Sequence, residues 1–211
     1  MKALVALSDG TVFHGIAFGA TGESLGEIVF NTSMTGYQEV LTDPSYAGQI
    51  VSMTYPMIGN YGVTPNDEES SEPQVRGFIA KECSRIYSNW RAKNSLPEYL
   101  KNHGIIGIEG IDTRELTRIV RTRGTMNAVV STEDLNPKSL IKKAIAWEGL
   151  DGLDLASQVS CEHSYVASVE NPSYHVVALD FGIKRNIVNC LNKIGCDVTV
   201  VPAKTTASEI L

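Results

Sequence analysis

Cysteine and histidine are the residues of this 211-residue sequence whose side chains most readily serve nucleophilic or metal chemistry. No two cysteines have the Cys-x-x-Cys spacing and the histidines are scattered, so the pattern does not predict a zinc site. A nucleophilic thiol needs a neighbouring base and an exposed turn, whereas Cys190 falls within a helical pattern and Cys83 ends an apolar strand. We interpret the thiols as structural, assign no catalytic role to Cys83 or Cys190, and predict no metal ligand in this chain. The set consists of Cys83, Cys161, Cys190, Cys196, His14, His103, His163 and His175.

Small, polar and turn-forming residues are concentrated in residues 40–62, VLTDPSYAGQIVSMTYPMIGNYG. The Asp-Pro-Ser sequence at 43–45 predicts a turn, because proline presets the φ angle of the second turn position. This turn leaves the hydroxyl of Ser45 exposed. A short strand is predicted over 49–54 and a second turn over 59–62. From the residues alone, stabilisation of its own turn is the favoured role of Ser45, and ligand binding is the alternative.

Two charged clusters are the remaining candidates for a site. The acidic run 67–69, with Glu72 after it, predicts a solvated loop rather than a cation site, because a flexible loop does not supply convergent oxygen ligands. The pattern favours a solvated cationic face for the arginine-bearing helix that starts near residue 112, with a docking surface for a partner as the alternative. Its arginines are Arg114, Arg118, Arg121 and Arg123.

Composition excludes several classes of function. The chain has 43% hydrophobic and 20% charged residues, as an ordinary globular protein has. Its net charge of −6 provides no positive field to attract nucleic acid or an anionic membrane. No apolar run approaches the roughly 20 residues of a membrane span, and the N-terminus does not resemble a signal peptide. We expect a cytoplasmic protein without nucleic-acid or membrane partners.

These candidates must be positioned by a first set of mixed strands and helices. An Asp-Gly turn at 9–10 between apolar runs predicts a β-hairpin over residues 2–18. Asp112 as N-cap, Glu115 three residues later and Gly124 at the end predict the clearest helix of the chain. The other predicted elements are strands over 27–31, 49–54, 74–83, 105–108 and 125–131, and helices over 35–41, 96–102 and 137–147.

The pattern changes near the C-terminal end. Residues 175–180, HVVALD, form an apolar run typical of a strand buried on both faces of a parallel sheet. A helix is predicted over 184–194, with Ile187, Leu191 and Ile194 on its apolar face, and a second buried strand is predicted over 197–201. Together with the strand over 175–180 they form a right-handed βαβ unit. The intervening Asp-Phe-Gly turn at 180–182 has one glycine and does not match a dinucleotide-binding fingerprint.

The predicted fold class is α/β in two parts. Residues 1–148 form an α+β N-terminal domain, 149–173 lose periodicity and are interpreted as a linker, and 174–211 begin a Rossmann-like domain. A capping-box pattern at 206–209 starts another helix two residues before the last residue. Because two strands and their helices cannot cover both faces of a parallel sheet, we expect this second domain to be incomplete.

Four segments resemble the small, glutamine-hydrolysing subunit of carbamoyl phosphate synthetase. They are FNTSMTGYQEVLTDPSYAGQIV (30–51), TYPMIGNYG (54–62), IDTRELTRIVRTRG (111–124) and VVALDFGIKRNIVNCL (176–191). The resemblance runs from the first strand to the last residue and implies that 174–211 start a triad-type glutamine amidotransferase domain.

The resemblance also implies a function. The complete subunit releases ammonia from glutamine through a Cys-His-Glu triad, and a large subunit uses that ammonia with ATP, magnesium and bicarbonate to make carbamoyl phosphate for arginine and pyrimidine synthesis. The triad and the Gly-rich glutamine-binding segment are expected beyond the residues of this sequence. The chain alone is therefore expected to bind no cofactor and to be catalytically incompetent.

The resemblance implies one site residue in this chain. Ser45 matches the serine that reaches from the N-terminal domain to L-glutamine bound in the neighbouring domain, and a hydroxyl can donate to a carboxylate or accept from an ammonium. The most distinctive motif, Thr35-Gly36-Tyr37-Gln38, is interpreted as packing or interface.

Two functions of other classes remain as alternatives. A docking module that binds a large synthetase subunit without catalysis would use the arginine-bearing helix. A nucleotide-binding α/β protein rests only on the βαβ unit over 175–201, and stabilisation by a nucleotide would test it.

Overall fold

The computed structural model describes residues 1–211, which form a mixed barrel followed by a smaller α/β unit. The strands of the first part are β1 (Lys2–Leu7), β2 (Val12–Ala17), β3 (Glu23–Asn31), β4 (Gln49–Met53), β5 (Met57–Ile58), β6 (Gly77–Ile79), β7 (Glu82–Cys83), β8 (Ile106–Glu109) and β9 (Met126–Ser131). Its helices are α1 (Tyr37–Thr42), α2 (Leu96–Asn102), α3 (Thr113–Arg123) and α4 (Pro137–Ala146), and Pro44–Tyr46 forms one 3₁₀ turn.

The second part begins within the segment predicted to be a linker. Its helices are α5 (Leu155–Val159), α6 (Arg185–Lys193) and α7 (Ala207–Ile210), and its strands are β10 (Tyr165–Ala167), β11 (Tyr174–Asp180) and β12 (Cys196–Pro202). No helix of the chain is both long and apolar enough to cross a membrane.

Seven strands close the barrel in the order β1-β2-β8-β6-β4-β3-β9. The predicted hairpin is confirmed, with β1 and β2 antiparallel from Lys2 opposite Ile16 to Ala6 opposite Val12. Closure of the barrel was not predicted. It depends on β9, which pairs with both β1 and β3 and thereby joins the two ends of the sheet. The interior is filled by fully buried aliphatic and aromatic side chains that include Ile28, Ile50, Ile79 and Ile108.

The single strand predicted over 74–83 is wrong, because the structure divides it between two sheets. Strand β6 lies between β4 and β8 in the barrel, whereas β7 pairs with β5 in a separate two-stranded sheet. The N–H of Ala80 still donates to Ile108 in the barrel, but the N–H of Glu82 donates to Pro56. Continuous apolar composition does not reveal this change of hydrogen-bonding partner.

The helices of the barrel largely agree with the sequence pattern. Helix α2 occupies the predicted residues, and Asp112 caps α3 by accepting the Glu115 N–H at 2.9 Å. Gly124 has a φ of +88°, a left-handed conformation that favours glycine and ends α3 as predicted.

The βαβ unit is confirmed, because β11 and β12 are parallel and α6 connects them. The third strand, β10, is antiparallel to β12 and lies within 149–173. The interpretation of 149–173 as a connection without periodicity therefore misses α5 and β10. Strand β10 pairs with β12, and the N–H of Cys161, just after α5, donates to Asp180 of β11. The capping box at the start of α7 is confirmed by reciprocal hydrogen bonds between Thr206 and Glu209.

Burial of β11 differs from the prediction. The sheet order is β10-β12-β11, so β12 is central and buries Val198 and Val200 completely, whereas β11 is an edge strand. Val177 and Leu179 of β11 remain 43% and 41% exposed. The helix α6 packs on β12, with Val188 buried and Ile187 and Ile194 exposed, which corrects the apolar face predicted for this helix.

Candidate functional site

The turn that contains Ser45 connects α1 to β4 at the boundary between the barrel and the α/β unit. Proline at 44 presets the turn, and the Asp43 carboxylate (Oδ1) accepts the Ser45 N–H at 2.9 Å. The Tyr46 hydroxyl accepts from the Asn31 side chain at 2.9 Å. These bonds hold the turn on the barrel and fix the direction in which Ser45 faces.

Asp43 has a second partner, from the other part of the chain. Its other carboxylate oxygen lies 2.6 Å from the Lys184 ammonium, which follows β11. The hydrogen bond to Asp43 raises the pKa of Lys184 above its ordinary value, despite the opposing effect of burial. One carboxylate therefore stabilises the Ser45 turn and joins it to the α/β unit.

The Ser45 hydroxyl is exposed and makes no hydrogen bond within the chain, although the main-chain N–H of Ser45 does. The prediction of an exposed hydroxyl is confirmed. The turn is stabilised by the hydrogen bond between the Asp43 side chain and the Ser45 N–H. The Ser45 hydroxyl therefore does not stabilise its own turn, which is the role that the residues alone favoured. Its donor and acceptor are both free.

The loop after β11 packs directly against this turn. Asp180 is buried and its carboxylate accepts three main-chain N–H groups, from Gly182, Ile183 and Cys161, at 2.7–2.8 Å. Gly182 has a φ of +94°, and a Cβ atom there would lie 3.0 Å from the Pro44 Cβ. Only glycine combines this backbone conformation with such a close approach. Because Asp180 already occupies the loop N–H groups, they do not form a phosphate cradle.

The acidic run joins the two parts of the chain. The carbonyl of Glu69 accepts the Arg185 N–H at 2.8 Å, and its carboxylate accepts the Asn186 N–H at 2.9 Å. Glu69 thus caps the N-terminus of α6, whose own N-cap residue makes no side-chain bond. Glu68 lies 3.7 Å from the Arg185 guanidinium.

The prediction of a solvated loop is wrong for residues 67–69 and correct for Glu72. The three acidic residues are half-buried, and Asp67 forms a two-pronged ion pair with Arg91 at 2.9 and 3.1 Å, whereas Glu72 is exposed. Each carboxylate of the run has a cation or a helix end as its partner. Sequence showed the charge of this run but not the distant residues that neutralise it.

A cavity of about 600 Å³ lies between the acidic loop and the α/β unit. The residues that line this cavity include Pro44, Glu69, Cys161, Asp180 and Arg185. Most of the lining residues are polar, so the cavity suits a small polar molecule better than an apolar one, although Asp180 and Glu69 already accept main-chain N–H groups. Ser45 is outside the lining, on the exposed side of the same turn.

The cysteines and histidines are dispersed. Burial raises the pKa of the Cys83 thiol to about 12 and also raises the pKa of Cys161, so both thiols are protonated at neutral pH. Cys190 is exposed on α6 and Cys196 is buried in β12. All four histidines are exposed. Of these, His175 alone has a carboxylate within 4 Å, with its Nδ1 atom 3.8 Å from Asp197. The structure brings no cysteine into hydrogen-bond contact with a histidine.

The motif at 35–38 is explained by packing. The Tyr61 hydroxyl accepts the N–H groups of Gly36 and Tyr37 at 2.7 and 3.1 Å, and the two tyrosine rings stack with centroids 4.2 Å apart. The amide of Gln38 exchanges two hydrogen bonds with the main chain of Thr64, at 2.5 and 2.8 Å. The motif therefore holds α1 against the 59–64 segment, as the packing interpretation predicted for Tyr37 and Gln38.

The arginines of α3 are exposed, as predicted for a cationic face. Arg123 forms an ion pair with Asp9 of the β1–β2 turn. The other three, Arg114, Arg118 and Arg121, form no ion pair within the chain.

The fold and the contacts define a two-part α+β protein, in which a turn of a mixed barrel faces the strand-to-helix loop of a Rossmann-like unit. The family described as carbamoyl-phosphate synthase small chain, CPSase domain, matches residues 5–130. The chain belongs to this family.

Curated relatives extend the similarity to the α/β unit. The chain is 52% identical to the carbamoyl phosphate synthase small chain of Syntrophotalea carbinolica over 100% of its own length and 60% of that protein. It is 53% identical to the Synechococcus protein of the same name, over 99% of the chain and 56% of that protein. The corresponding protein of Chlorobaculum tepidum is 51% identical, with 100% and 58% covered. The chain thus spans less than two thirds of the relatives it matches.

Proposed function

We propose that this chain is the N-terminal portion of the glutamine-hydrolysing small subunit of carbamoyl phosphate synthase. In the complete subunit, glutamine is hydrolysed and ammonia passes to a large subunit that makes carbamoyl phosphate for arginine and pyrimidine synthesis. Family membership supports the subunit role, and the fixed, unpartnered hydroxyl of Ser45 at the boundary of the two parts is the observation that carries the glutamine-binding role.

Ser45 is proposed to contact L-glutamine. Its hydroxyl can donate to the substrate α-carboxylate or accept from the α-ammonium, and Asp43 orients it by holding the Ser45 N–H. A turn held in place before binding loses little conformational freedom when the ligand arrives. Ser45 thus positions the substrate and takes no part in bond breaking.

The isolated chain is proposed to have no glutaminase activity. Thioester chemistry requires a thiolate with a nearby base, and the structure brings no cysteine of the chain into hydrogen-bond contact with a histidine. Burial raises the pKa of Cys161, and its main-chain N–H donates to Asp180. Cys83 is buried in strand β7, outside the barrel sheet, with a pKa of about 12. The nucleophile, histidine and glutamate of the complete subunit are assigned to segments outside residues 1–211.

This assignment also implies which of the two subunits uses each substrate and cofactor. ATP, magnesium and bicarbonate are used by the large subunit, and this chain binds no cofactor of its own. Residues 1–148 form the small-subunit N-terminal domain, and the amidotransferase domain begins within 149–173, where β10 already pairs with β12, and continues through 174–211. A biosynthetic enzyme of this kind acts in the cytoplasm.

Kinetics of the complete subunit test the role of Ser45. Ser45→Ala is expected to raise KM for glutamine about tenfold with little change in kcat, because one hydrogen bond to substrate contributes about 1.4 kcal/mol. Ser33→Ala, at another exposed serine of the same part of the chain, is the matched control. An unchanged KM in Ser45→Ala would remove the residue from the glutamine site. For the isolated chain, glutamine hydrolysis that disappears on substitution of one of its own cysteines would contradict catalytic incompetence.

A docking module without catalytic function is the second candidate, favoured by the unpaired arginines of α3. Arg114→Glu with Arg118→Glu is expected to weaken binding to a large synthetase subunit if this face docks. Unchanged binding rejects docking through α3.

A further inference from the structure

A loop on the barrel exposes large apolar side chains close together. Within residues 84–94, Trp90 is 92% exposed, Ile86 is 80% exposed and Tyr87 is 38% exposed. Single exposed apolar residues are normal on protein surfaces, but three within five residues are not. Exposed tryptophan in particular is costly to solvate and is the residue most enriched at energetically important positions of protein interfaces.

Hydrogen bonds hold both flanks of this loop on the barrel. The Ser88 N–H donates to the Asn60 carbonyl at 2.9 Å. The Lys93 N–H donates to the Val63 carbonyl at 2.9 Å, and the Val63 N–H donates to the Asn94 carbonyl at 3.0 Å. The Arg91 guanidinium, next to Trp90, is fixed by both oxygens of Asp67.

Close packing supports the base of the loop. Gly62 has a φ of +69°, and a Cβ there would lie 2.8 Å from Ala92 Cβ and 2.9 Å from Tyr87 Cδ2. The loop therefore rests directly on the glycine turn that follows β5. Because its backbone is held at several points, the indole of Trp90 is presented in an ordered setting, which lowers the entropy lost on binding.

The charge of the loop differs in sign from that of the whole chain. Residues 84–94 contain Arg85, Arg91 and Lys93 and no acidic residue, although the chain has a net charge of −6. Arg85 pairs with Glu109 and Arg91 pairs with Asp67, so Lys93 is the cation of the loop without an ion pair, although the Arg85 side chain remains 68% exposed. A surface complementary to this loop is an apolar pocket bordered by carboxylates. Such a pocket is found on proteins, so we expect the partner to be a protein. A nucleic acid would be repelled by the remainder of this acidic chain.

We propose that residues 84–94 are a docking loop that inserts Trp90 into an acidic-rimmed apolar pocket of the large subunit. The proposal rests on the proposed function, which supplies a large subunit as the partner. Trp90 and Ile86 provide the apolar contact, and Arg85 and Lys93 provide its cationic border. The exposed apolar surface is thereby covered in the assembly.

Tryptophan fluorescence tests the docking loop directly, because the chain has only two tryptophans, Trp90 and Trp147. In a Trp147→Phe variant, Trp90 emission is expected to shift to shorter wavelength when a large subunit whose tryptophans are replaced by phenylalanine is added. Trp90→Ala is expected to weaken binding measured by titration calorimetry about 30-fold, the effect of losing one central interface residue. Ile145→Ala, which alters a side chain 62% exposed on α4, is the matched control and should leave the affinity unchanged.

The outcomes separate this proposal from the proposed function. Complex formation with unshifted Trp90 emission and unchanged affinity of Trp90→Ala would overturn the docking loop and leave the subunit assignment intact. Absence of any complex with the unsubstituted chain would contradict the subunit assignment and the loop together. Trp90-dependent dimerisation of the chain alone in sedimentation, or a blue shift with anionic vesicles, would overturn the large subunit as occupant. Equal urea midpoints for all variants would show that they are equally stable, so that a difference in affinity does not reflect a difference in folding.

Discussion

Glu69 of the acidic loop caps helix α6 of the α/β unit, which begins at Arg185, with its carboxylate 2.9 Å from the Asn186 N–H. Its carbonyl accepts the preceding N–H, from Arg185. These two bonds satisfy donors that an isolated helix would leave to water, and negative charge at a helix N-terminus is favourable. The N-terminus of a helix in the α/β unit is therefore capped by a residue from the first part of the chain.

Loss of this cap is expected to weaken the α/β unit. Glu69→Ala should lower the free energy of unfolding by about 1 kcal/mol, a typical value for loss of an N-cap, and Glu69→Gln should lower it less because an amide oxygen still accepts the Asn186 N–H. Urea unfolding followed by circular dichroism measures the change. Glu72→Ala alters an exposed carboxylate of the same loop and serves as control. Equal losses for Glu69→Ala and Glu72→Ala would contradict the cap.

Gly182 is expected to be intolerant of a side chain for two separable reasons. Its φ of +94° strains any other residue, and an added Cβ would meet Pro44 and Val159 at 3.0 and 2.9 Å. Gly152 has a similar φ of +79°, but nothing lies within 4 Å of its Cβ position. Gly152→Ala therefore measures backbone strain alone, about 1 kcal/mol.

Gly182→Ala is expected to cost about 1–3 kcal/mol more than Gly152→Ala, because overpacking adds to strain. The difference in urea midpoints measures it, and limited proteolysis should show earlier cleavage between the barrel and the α/β unit. Identical midpoints for the two variants would mean that the close approach of Gly182 to Pro44 does not constrain the chain.

Removal of one hydroxyl should destabilise the motif at 35–38. Tyr61→Phe keeps the ring stacked on Tyr37 but leaves the N–H groups of Gly36 and Tyr37 without their acceptor. Unsatisfied donors in such a setting cost about 1–3 kcal/mol. Thermal unfolding measures the loss, and Tyr55→Phe, at a ring 40% exposed, is the control. A neutral Tyr61→Phe would show that water replaces the hydroxyl.

Alkaline pH is expected to destabilise the first part of the chain through Cys83, which is buried in strand β7. Burial raises the pKa of this thiol from 9.0 to about 12, so the native state retains a proton that the unfolded chain releases. The stabilisation is complete below pH 9 and is lost as pH rises from 9 towards 12, with a slope of at most about 1.4 kcal/mol per pH unit.

Cys161, whose pKa is also raised, and the tyrosine hydroxyls contribute to the slope between pH 9 and 10, so the contribution of Cys83 is taken from the difference between variants. Cys83→Ala should have a lower stability at all pH values but a flatter dependence in this interval. Cys190→Ala, at an exposed helical position, should retain the slope of the unsubstituted chain. A steep slope that persists in Cys83→Ala would assign it to another group.

Local elements were accessible from sequence because their signals lie within a few residues. Asp112 and Gly124 mark both ends of α3, the Asp-Gly turn marks the first hairpin, and Thr206 with Glu209 marks the start of α7. Each signal is a short-range hydrogen bond or a backbone conformation that few residues adopt.

Pairings between distant residues were not accessible in the same way. The apolar run from 74 to 83 has one composition but changes sheets after Ile79, and the run at 175–180 looks buried but forms an edge strand. Apolar composition records a tendency to be buried, and sheet order determines whether a neighbour is present to bury it.

For this protein, sequence alone determined the hairpin, the capped helices, the βαβ unit and the exposed position of Ser45. Tertiary structure alone decided that seven strands close into a barrel, that Asp43 reaches Lys184, and that Glu69 caps α6. The physical reason is how far apart along the chain the interacting residues lie. Caps and turns are decided by neighbours along the chain, whereas a carboxylate finds a partner more than 100 residues away only after the whole chain has folded around it.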